Sequence, residues 1–293
     1  MTGKRVLLIV NRNARRGAES IDPVTRRLEA KGFKVRPCPI DALDRSEQDL
    51  AALGEDVDLI VICGGDGSVS SAARLILATG LPMGIIPLGT ANDLARTIGI
   101  PADPLAAADM IADGHQRQID VGTVNGRTFF NVASIGLSSD LAQTLDPATK
   151  KRFGRLSYAI CALKVFSKAT RFKAWIKEDG IAIKVRTYQI AVGNGVLYGG
   201  GNVVEQSAAI DDGRLDLYSL ELQSLWKLIL MVRAFRLGTH GAWSEVRTAR
   251  CVEFDVETSK PMPVNADGEI VTSTPAHFKV LPDAISVFVP RQT

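Results

Sequence analysis

Through the first 120 residues, short apolar runs alternate with segments whose apolar residues recur at helical spacing, which is the pattern of a parallel sheet covered by helices. The pattern predicts strands over residues 5–10, 34–36, 58–62 and 83–87. Between them it predicts helices over 20–31, 46–53 and 68–78, each with a serine at or near its N-cap. A further helix is predicted over 104–112, with Asp103 as cap, Pro104 at the first helical position and Gly114 past the end. After about residue 120 the texture changes to β-rich stretches punctuated by turn signals, predicting strands over 127–132, 188–192, 214–218, 252–256 and 284–289. Two helices are predicted among them, over 155–167 and 224–237. Strands grouped in sequence favour an antiparallel sheet or sandwich over another βαβ unit. The expected architecture is therefore an α/β domain with a parallel sheet over residues 1–122, followed by a β-rich, antiparallel sandwich-like domain over 123–293.

Composition agrees with two globular domains. The chain has 293 residues, 46% hydrophobic and 23% charged, which is too apolar for a disordered chain, and it lacks the run of about 18 apolar residues that a membrane-spanning helix needs. At this length a single core is near its upper size. The first apolar run, residues 6–10, is too short for a signal-peptide core and suits a buried strand, so a cytoplasmic protein is expected. Cys38, Cys63, Cys161 and Cys251 show no CxxC spacing, which predicts reduced thiols, and His115, His240 and His277 fall in no metal-ligand pattern. The net charge of +3 selects no partner, but it is unevenly spread. Residues 150–186 hold eleven basic side chains against Glu178 and Asp179, a local +9 that leaves −6 for the remainder. Two readings stand: an ordinary solvated face, or a surface for anionic head groups or nucleic acid, where each Lys or Arg near an anionic bilayer contributes about 1 kcal/mol. Helix 224–237 is equally double. Leu225, Ile229, Val232 and Phe235 lie close to one face, which fits either a core helix or an interfacial one.

The chemistry concentrates in two loops. Residues 59–68 read LIVICGGDGS, a buried-strand run that ends in glycines and opens a helix. Glycines let the backbone approach phosphate oxygens, and the helix N-terminus supplies unpaired N–H groups and a favourable dipole. Asp66 would repel a bare phosphate, which suggests a metal ion or metal-bound water between them; as a simple turn, the same segment would use Asp66 as a helix cap. About twenty residues on, the strand Gly84-Ile85-Ile86 leads into PLGTAND at 87–93. Neighbouring parallel strands present their C-terminal ends to one crevice, where open α/β sheets bind ligands. Thr90 is placed to donate to phosphate, and Asn92 and Asp93 either cap the next helix or hold the Asp66 network.

GGDGS at 64–68 followed by PLGTAND at 87–93 resembles the diacylglycerol kinase catalytic domain of bacterial lipid kinases, related to sphingosine kinases and more distantly to NAD kinases and phosphofructokinases. The resemblance continues in VGNG at 192–195, GGG at 199–201, DDG at 211–213 and DGE at 267–269, and so spans nearly the whole chain. It implies an ATP- and Mg²⁺-dependent kinase that phosphorylates a lipid hydroxyl of diacylglycerol, phosphatidylglycerol or sphingoid type, with the active site between an NAD-kinase-like first domain and the β-rich second. It further implies nucleotide contacts from Asn11, Gly64, Gly65, Asp66, Gly67, Ser68, Thr90, Asn92 and Asp93. Glu269 falls on the family's proton acceptor, with Asp267 beside it and Asp66 as a rival base. Asp212, with the backbone carbonyls of Ala209 and Arg214, falls on a structural magnesium site. The implied partner is a lipid at an anionic membrane surface, met by transient peripheral docking, with no nucleic acid; a homodimer is left open.

The chain departs from the family pattern in two places. Its first loop reads Asn11-Arg12-Asn13-Ala14-Arg15-Arg16-Gly17 where the family has Asn-Pro, leaving Arg15 or Arg16 to supply the basic group near the phosphates. The family's Asn-Glu pair after GGDGT is Ser70-Ser71 here, which removes a carboxylate. GGDG alone would also suit an NAD or sugar-phosphate kinase, and Ser70-Ser71 would suit a lipid or nucleotide sensor that binds without turnover.

Overall fold

The computed structural model describes residues 3–11, 14, 17–137, 169–195, 197–198, 202–203, 209–223, 227, 239 and 243–291. The chain divides into two compact units. The first comprises Met1–Val121, Gly199–Gly201 and Pro282–Thr293; the second comprises Gly122–Tyr198 and Asn202–Leu281. The first division falls within a residue of the one read from sequence, but the last stretch of chain, from Pro282, returns to the first unit instead of ending in the second.

In chain order the first unit holds β1 (Arg5–Val10), α1 (Gly17–Ala30), β2 (Lys34–Pro39), a single 3₁₀ turn (Ile40–Leu43), α2 (Glu47–Leu53), β3 (Leu59–Gly64), α3 (Asp66–Thr79), β4 (Met83–Pro87), α4 (Asp93–Thr97) and α5 (Pro104–Asp113). The strands lie in the order β2-β1-β3-β4, and the end of a late strand, β18 (Ala276–Phe288), joins beside β4 through Val287 and Met83; all these pairings are parallel. Leu59, Ile60, Val61 and Ile62 are fully buried, each such side chain contributing about 1.5–3 kcal/mol over an exposed one. That burial fixes the register of β3 and, through it, the position of the glycine loop at its end. Helix α1 packs with α5 and α2 with α3, and right-handed crossovers place the two pairs on opposite faces of the sheet. Caps behave as the sequence predicts at two helices: Ser46 Oγ accepts the Asp49 N–H at 3.3 Å and Asp103 Oδ1 the Ala106 N–H at 2.8 Å. Helix α3 differs. It begins at Asp66, two residues before its expected start, because the Gly65 carbonyl already accepts the N–H groups of Ser68 and Val69.

The second unit begins within β5 (Gln116–Val124) and continues through β6 (Arg127–Phe129), β7 (Val132–Gly136), β8 (Phe172–Glu178), β9 (Ile181–Thr187), β10 (Gln189–Gly193), the short pair β11 (Leu197–Tyr198) and β12 (Asn202–Val203), β13 (Leu215–Leu220), β14 (Val246–Cys251), β15 (Glu253–Thr258), β16 (Pro263–Ala266), β17 (Glu269–Ser273) and the first half of β18. One antiparallel sheet has the order β14-β13-β10-β7-β16-β17; in the other, β18 pairs with β15, β15 with β8 and β8 with β9. Ile135, Val192, Leu217 and Val264 from the first sheet share one core with Ile176, Val185, Val256 and Phe278 from the second, so this unit is the expected sandwich. Phe254 and Phe278 stack within it, ring centroids 5.1 Å apart. The single strand expected over 127–132 is instead two, broken at Phe130 and Asn131, whose N–H groups turn to a side chain rather than to a ladder. Strand β18 starts eight residues earlier than expected: Ala276, Phe278 and Val280 face the core, while His277 and Lys279 alternate outward. The helices expected over 155–167 and 224–237 lie outside the described residues, Lys227 excepted.

Candidate active site

The strand order β2-β1-β3-β4 reverses direction between β1 and β3, and a crevice at such a point lies beyond the carboxyl ends of the strands. Asn11 directly follows β1 there and Gly64 ends β3. Asn11 Nδ2 donates to Ser68 Oγ at 2.8 Å, tying the first loop to helix α3. Ser68 itself is 3% exposed, so its hydroxyl holds the loop together from below rather than facing a ligand. Gly64 is required by this packing, since a Cβ on it would stand 2.2 Å from Ser68 Oγ.

The two glycine loops touch backbone to backbone. A Cβ on Gly65 would lie 2.9 Å from Gly89 Cα, and one on Gly89 would lie 2.5 Å from Gly65 Cα. Asn92 locks the second loop from within: in a left-handed conformation (φ 51°), its Oδ1 accepts the Gly89 N–H at 3.0 Å and its Nδ2 donates to the Gly89 carbonyl at 3.2 Å. Asp66 then bridges the loops, its Oδ1 accepting the Leu94 N–H at 3.1 Å. It is thus a helix cap, but for α4 rather than for its own helix. Asp93 is turned inward, 3% exposed and 3.6 Å from Arg96 Nη1, so its place is in the foundation of the loop and not at its surface. Thr90 and Gly67 are exposed, and a Cβ on Gly67 would meet nothing within 4 Å. The result is a rigid rim of close-packed glycine backbone, the first-turn amides of α3 and one exposed hydroxyl, suited to phosphate oxygens. Ser71, which stands where the family has a carboxylate, donates to the Gly67 carbonyl at 2.8 Å.

Cys63 precedes this rim, but full burial pushes its thiol up to about 12. It is excluded as a nucleophile. The native protein is expected to resist alkylation at Cys63 at pH 8, with labelling after unfolding; mapping modified cysteines by mass spectrometry checks this.

In the second unit, Asp267 and Gly268 form the left-handed turn between β16 and β17 (φ 48° and 101°). Asp267 is not poised for chemistry. Its Oδ2 accepts the Phe130 N–H at 2.7 Å, its Oδ1 accepts those of Asn131 and Val132 at 3.0 and 3.1 Å, and its own N–H donates to the Val132 carbonyl at 3.0 Å. Asp267, expected beside the proton acceptor, thus holds the turn that carries Glu269. Asn194 braces the same segment, donating from Nδ2 to the Phe130 carbonyl at 3.1 Å and from its N–H to that of Asn131 at 3.0 Å. Glu269 is exposed and makes no side-chain hydrogen bond or ion pair among the described residues. Asp267→Ala would strand three N–H donors in a mostly buried segment, at about 1–3 kcal/mol each. A loss of about 3–5 kcal/mol in unfolding free energy is expected by denaturant titration; a loss under 1 kcal/mol would remove the positioning role.

The structure brings together Asp212, Ala209 and Arg214, the three residues of the implied magnesium set. Asp212 receives the N–H groups of Ala209 and Arg214 at 3.3 and 3.0 Å, and Arg250 ion-pairs with its Oδ2. Two contributors escape a sequence reading. Gly89 lies within the PLGTAND motif, yet only the close approach to Gly65 shows its task. Arg250 carries no local signal, because its meeting with Asp212 and Asp216 depends on strand register.

Comparison with known proteins sets this geometry in context. Residues 5–124 match the family model of the diacylglycerol kinase catalytic domain, and residues 131–289 match that of the YegS C-terminal NAD kinase beta sandwich-like domain. The chain belongs to the diacylglycerol kinase catalytic-domain family. A diacylglycerol kinase of Mycobacterium tuberculosis is 35% identical over 260 residues, covering 86% of this chain and 83% of the relative. One of Bacillus subtilis is 29% identical over 300 residues, covering 99% and 97%. A solved structure from Bacillus anthracis superposes with a TM-score of 0.82 at 25% identity over 99% of this chain and 97% of that one. The protein is accordingly a lipid kinase, and the NAD-kinase and sugar-kinase readings fall away. Among the described residues of this lipid kinase, no helix is long and apolar enough to cross a membrane.

Proposed function

We propose that this lipid kinase transfers the γ-phosphoryl group of Mg²⁺-bound ATP to a hydroxyl of a diacylglycerol-like, phosphatidylglycerol-like or sphingoid lipid. The observation that carries the reading is the locked pair of glycine loops at the ends of β3 and β4, where Gly65 and Gly89 pack without side chains and Asp66 ties one loop to the other. Phosphoryl transfer asks for alignment and charge neutralisation more than for covalent help. The α3 amides and Thr90 would hold phosphate oxygens, and the rigidity of the Asn92 and Asp66 bonds spares the cost of ordering the loops on binding. Asp66, half-buried, is the carboxylate that would hold Mg²⁺, directly or through water; the ion would supply charge neutralisation on the phosphates. The fit rests on a carboxylate built into an otherwise anion-binding rim, where a bare phosphate would be repelled. Glu269, exposed and without a side-chain partner among the described residues, would accept the hydroxyl proton.

The lipid is reached by docking on an anionic bilayer. Of the basic segment, the β8–β9 hairpin lies in the described part: Lys184 stands over the Trp175 ring at 5.6 Å, opposite it in the strand register, and Lys173 and Arg186 face each other in the next pair of the same face. A transfer assay with radiolabelled ATP and vesicles containing each lipid class tests the proposal. Label in one class, dependent on Mg²⁺ and increased by anionic lipid, is expected; no label in any class, with no heat of ATP binding by calorimetry, would overturn it.

A further inference from the structure

The turn before β13 brings two carboxylates to one place. Asp212 Oδ1 accepts the Arg214 N–H at 3.0 Å and Oδ2 the Ala209 N–H at 3.3 Å. Asp216 lies four residues on, inside β13, its side chain 8% exposed. Glu178, Asp179 and Asp216 add to the burial that pushes the thiol of neighbouring Cys251 up to about 12, so the surroundings are acidic. Carboxylates gathered in a half-buried place repel unless a cation stands with them.

The cation is already present in the chain. Arg250 on β14 is the direct cross-strand partner of Asp216, with Nε 3.5 Å from Asp216 Oδ1, and its Nη2 ion-pairs with Asp212 Oδ2. One guanidinium thus joins a turn to two strands. A planar fork of N–H donors suits two carboxylates at once. Mg²⁺, in contrast, requires about six oxygens at close to 2.0–2.1 Å. Here both Asp212 oxygens already accept N–H groups, and the Arg250 charge would repel a second cation.

We propose that Arg250 is the resident cation of this turn, a tethered guanidinium in the place where the family resemblance implies a structural divalent ion, so that the second unit keeps its fold without metal. The consequence is separable from phosphoryl transfer: any Mg²⁺ need of the enzyme belongs to the nucleotide alone, and loss of the lipid-kinase reading would leave this proposal standing.

Thermal unfolding of the full chain without nucleotide tests it, in EDTA and in millimolar Mg²⁺ or Ca²⁺. The wild-type Tm is expected to be the same in all three. Arg250→Met exposes the carboxylates to each other, and its Tm in EDTA is expected to fall by about 5–10 °C, with at least half of the loss recovered by millimolar Mg²⁺ or Ca²⁺. Adding Asp212→Asn to Arg250→Met should cancel that recovery. A wild-type Tm that falls in EDTA and returns with Mg²⁺ would overturn the proposal, and this arm needs no variant to fold. So would an Arg250→Met protein as stable as wild type, or one whose loss no divalent ion repairs.

Discussion

Gly89→Ala is expected to lower kcat/KM for ATP by about 10² or more, because it drives apart the two glycine loops proposed to hold the phosphates. The new methyl would stand 2.5 Å from Gly65 Cα and 2.6 Å from Asn92 Oδ1. Gly65 Cα is backbone and cannot swing aside, so the loops must separate. Separation breaks the paired Asn92 bonds to Gly89 and pulls α4 from the Asp66 carboxylate that caps it. A displacement of about 1 Å at a reacting centre costs about 10²-fold in rate, and overpacking a rigid site costs about 1–3 kcal/mol of stability. Gly67→Ala is the control. Beyond its chain neighbours and its own helix backbone, its methyl would meet nothing within 4 Å, so its Tm should hold, and any loss of ATP affinity would report the ligand's own approach. Steady-state kinetics and calorimetry on both variants check this; a Gly89→Ala enzyme with unchanged ATP parameters would remove the loops from the nucleotide site.

Glu269→Gln is expected to reduce turnover by about 10²–10⁴ while ATP affinity and Tm stay close to wild type. The magnitude is that of a lost general base. The selectivity follows from the structure: Glu269 is exposed, and none of its side-chain atoms bonds to another described residue. Its neighbour Asp267 should show the opposite signature, since it holds three backbone N–H groups and its removal acts on stability. Asp66→Asn separates the rival base. If Glu269→Gln kept most of the wild-type turnover while Asp66→Asn lost it, the proton acceptor would be Asp66. Equal losses of turnover and ATP affinity in Glu269→Gln would make Glu269 structural.

Much of the first unit is legible in sequence because parallel strands buried on both faces leave continuous apolar runs, and helix caps are local. Ser46 and Asp103 cap as their side-chain chemistry dictates. The second unit is less legible. Strands β8, β9 and β14 carry charges on an outward face, so their apolar signal is halved, and β8 pairs with β15 and β14 with β13 across long stretches of chain, so those registers are not local.

The sequence by itself determined the two-unit plan, the α/β and sandwich classes and the ordered motifs that mark a lipid kinase, since each of these rests on periodicity or on residues adjacent in the chain. Tertiary structure alone decided what the polar residues of the candidate site do. Asp66 caps a helix that begins 27 residues later, Asp93 and Ser68 are buried supports, Asp267 accepts amides from 130–132, and Arg250 meets Asp212 across a strand pairing. The physical reason is the same in each case. A carboxylate's task is set by whichever donor or cation reaches it first, and the fold brings those groups from far along the chain.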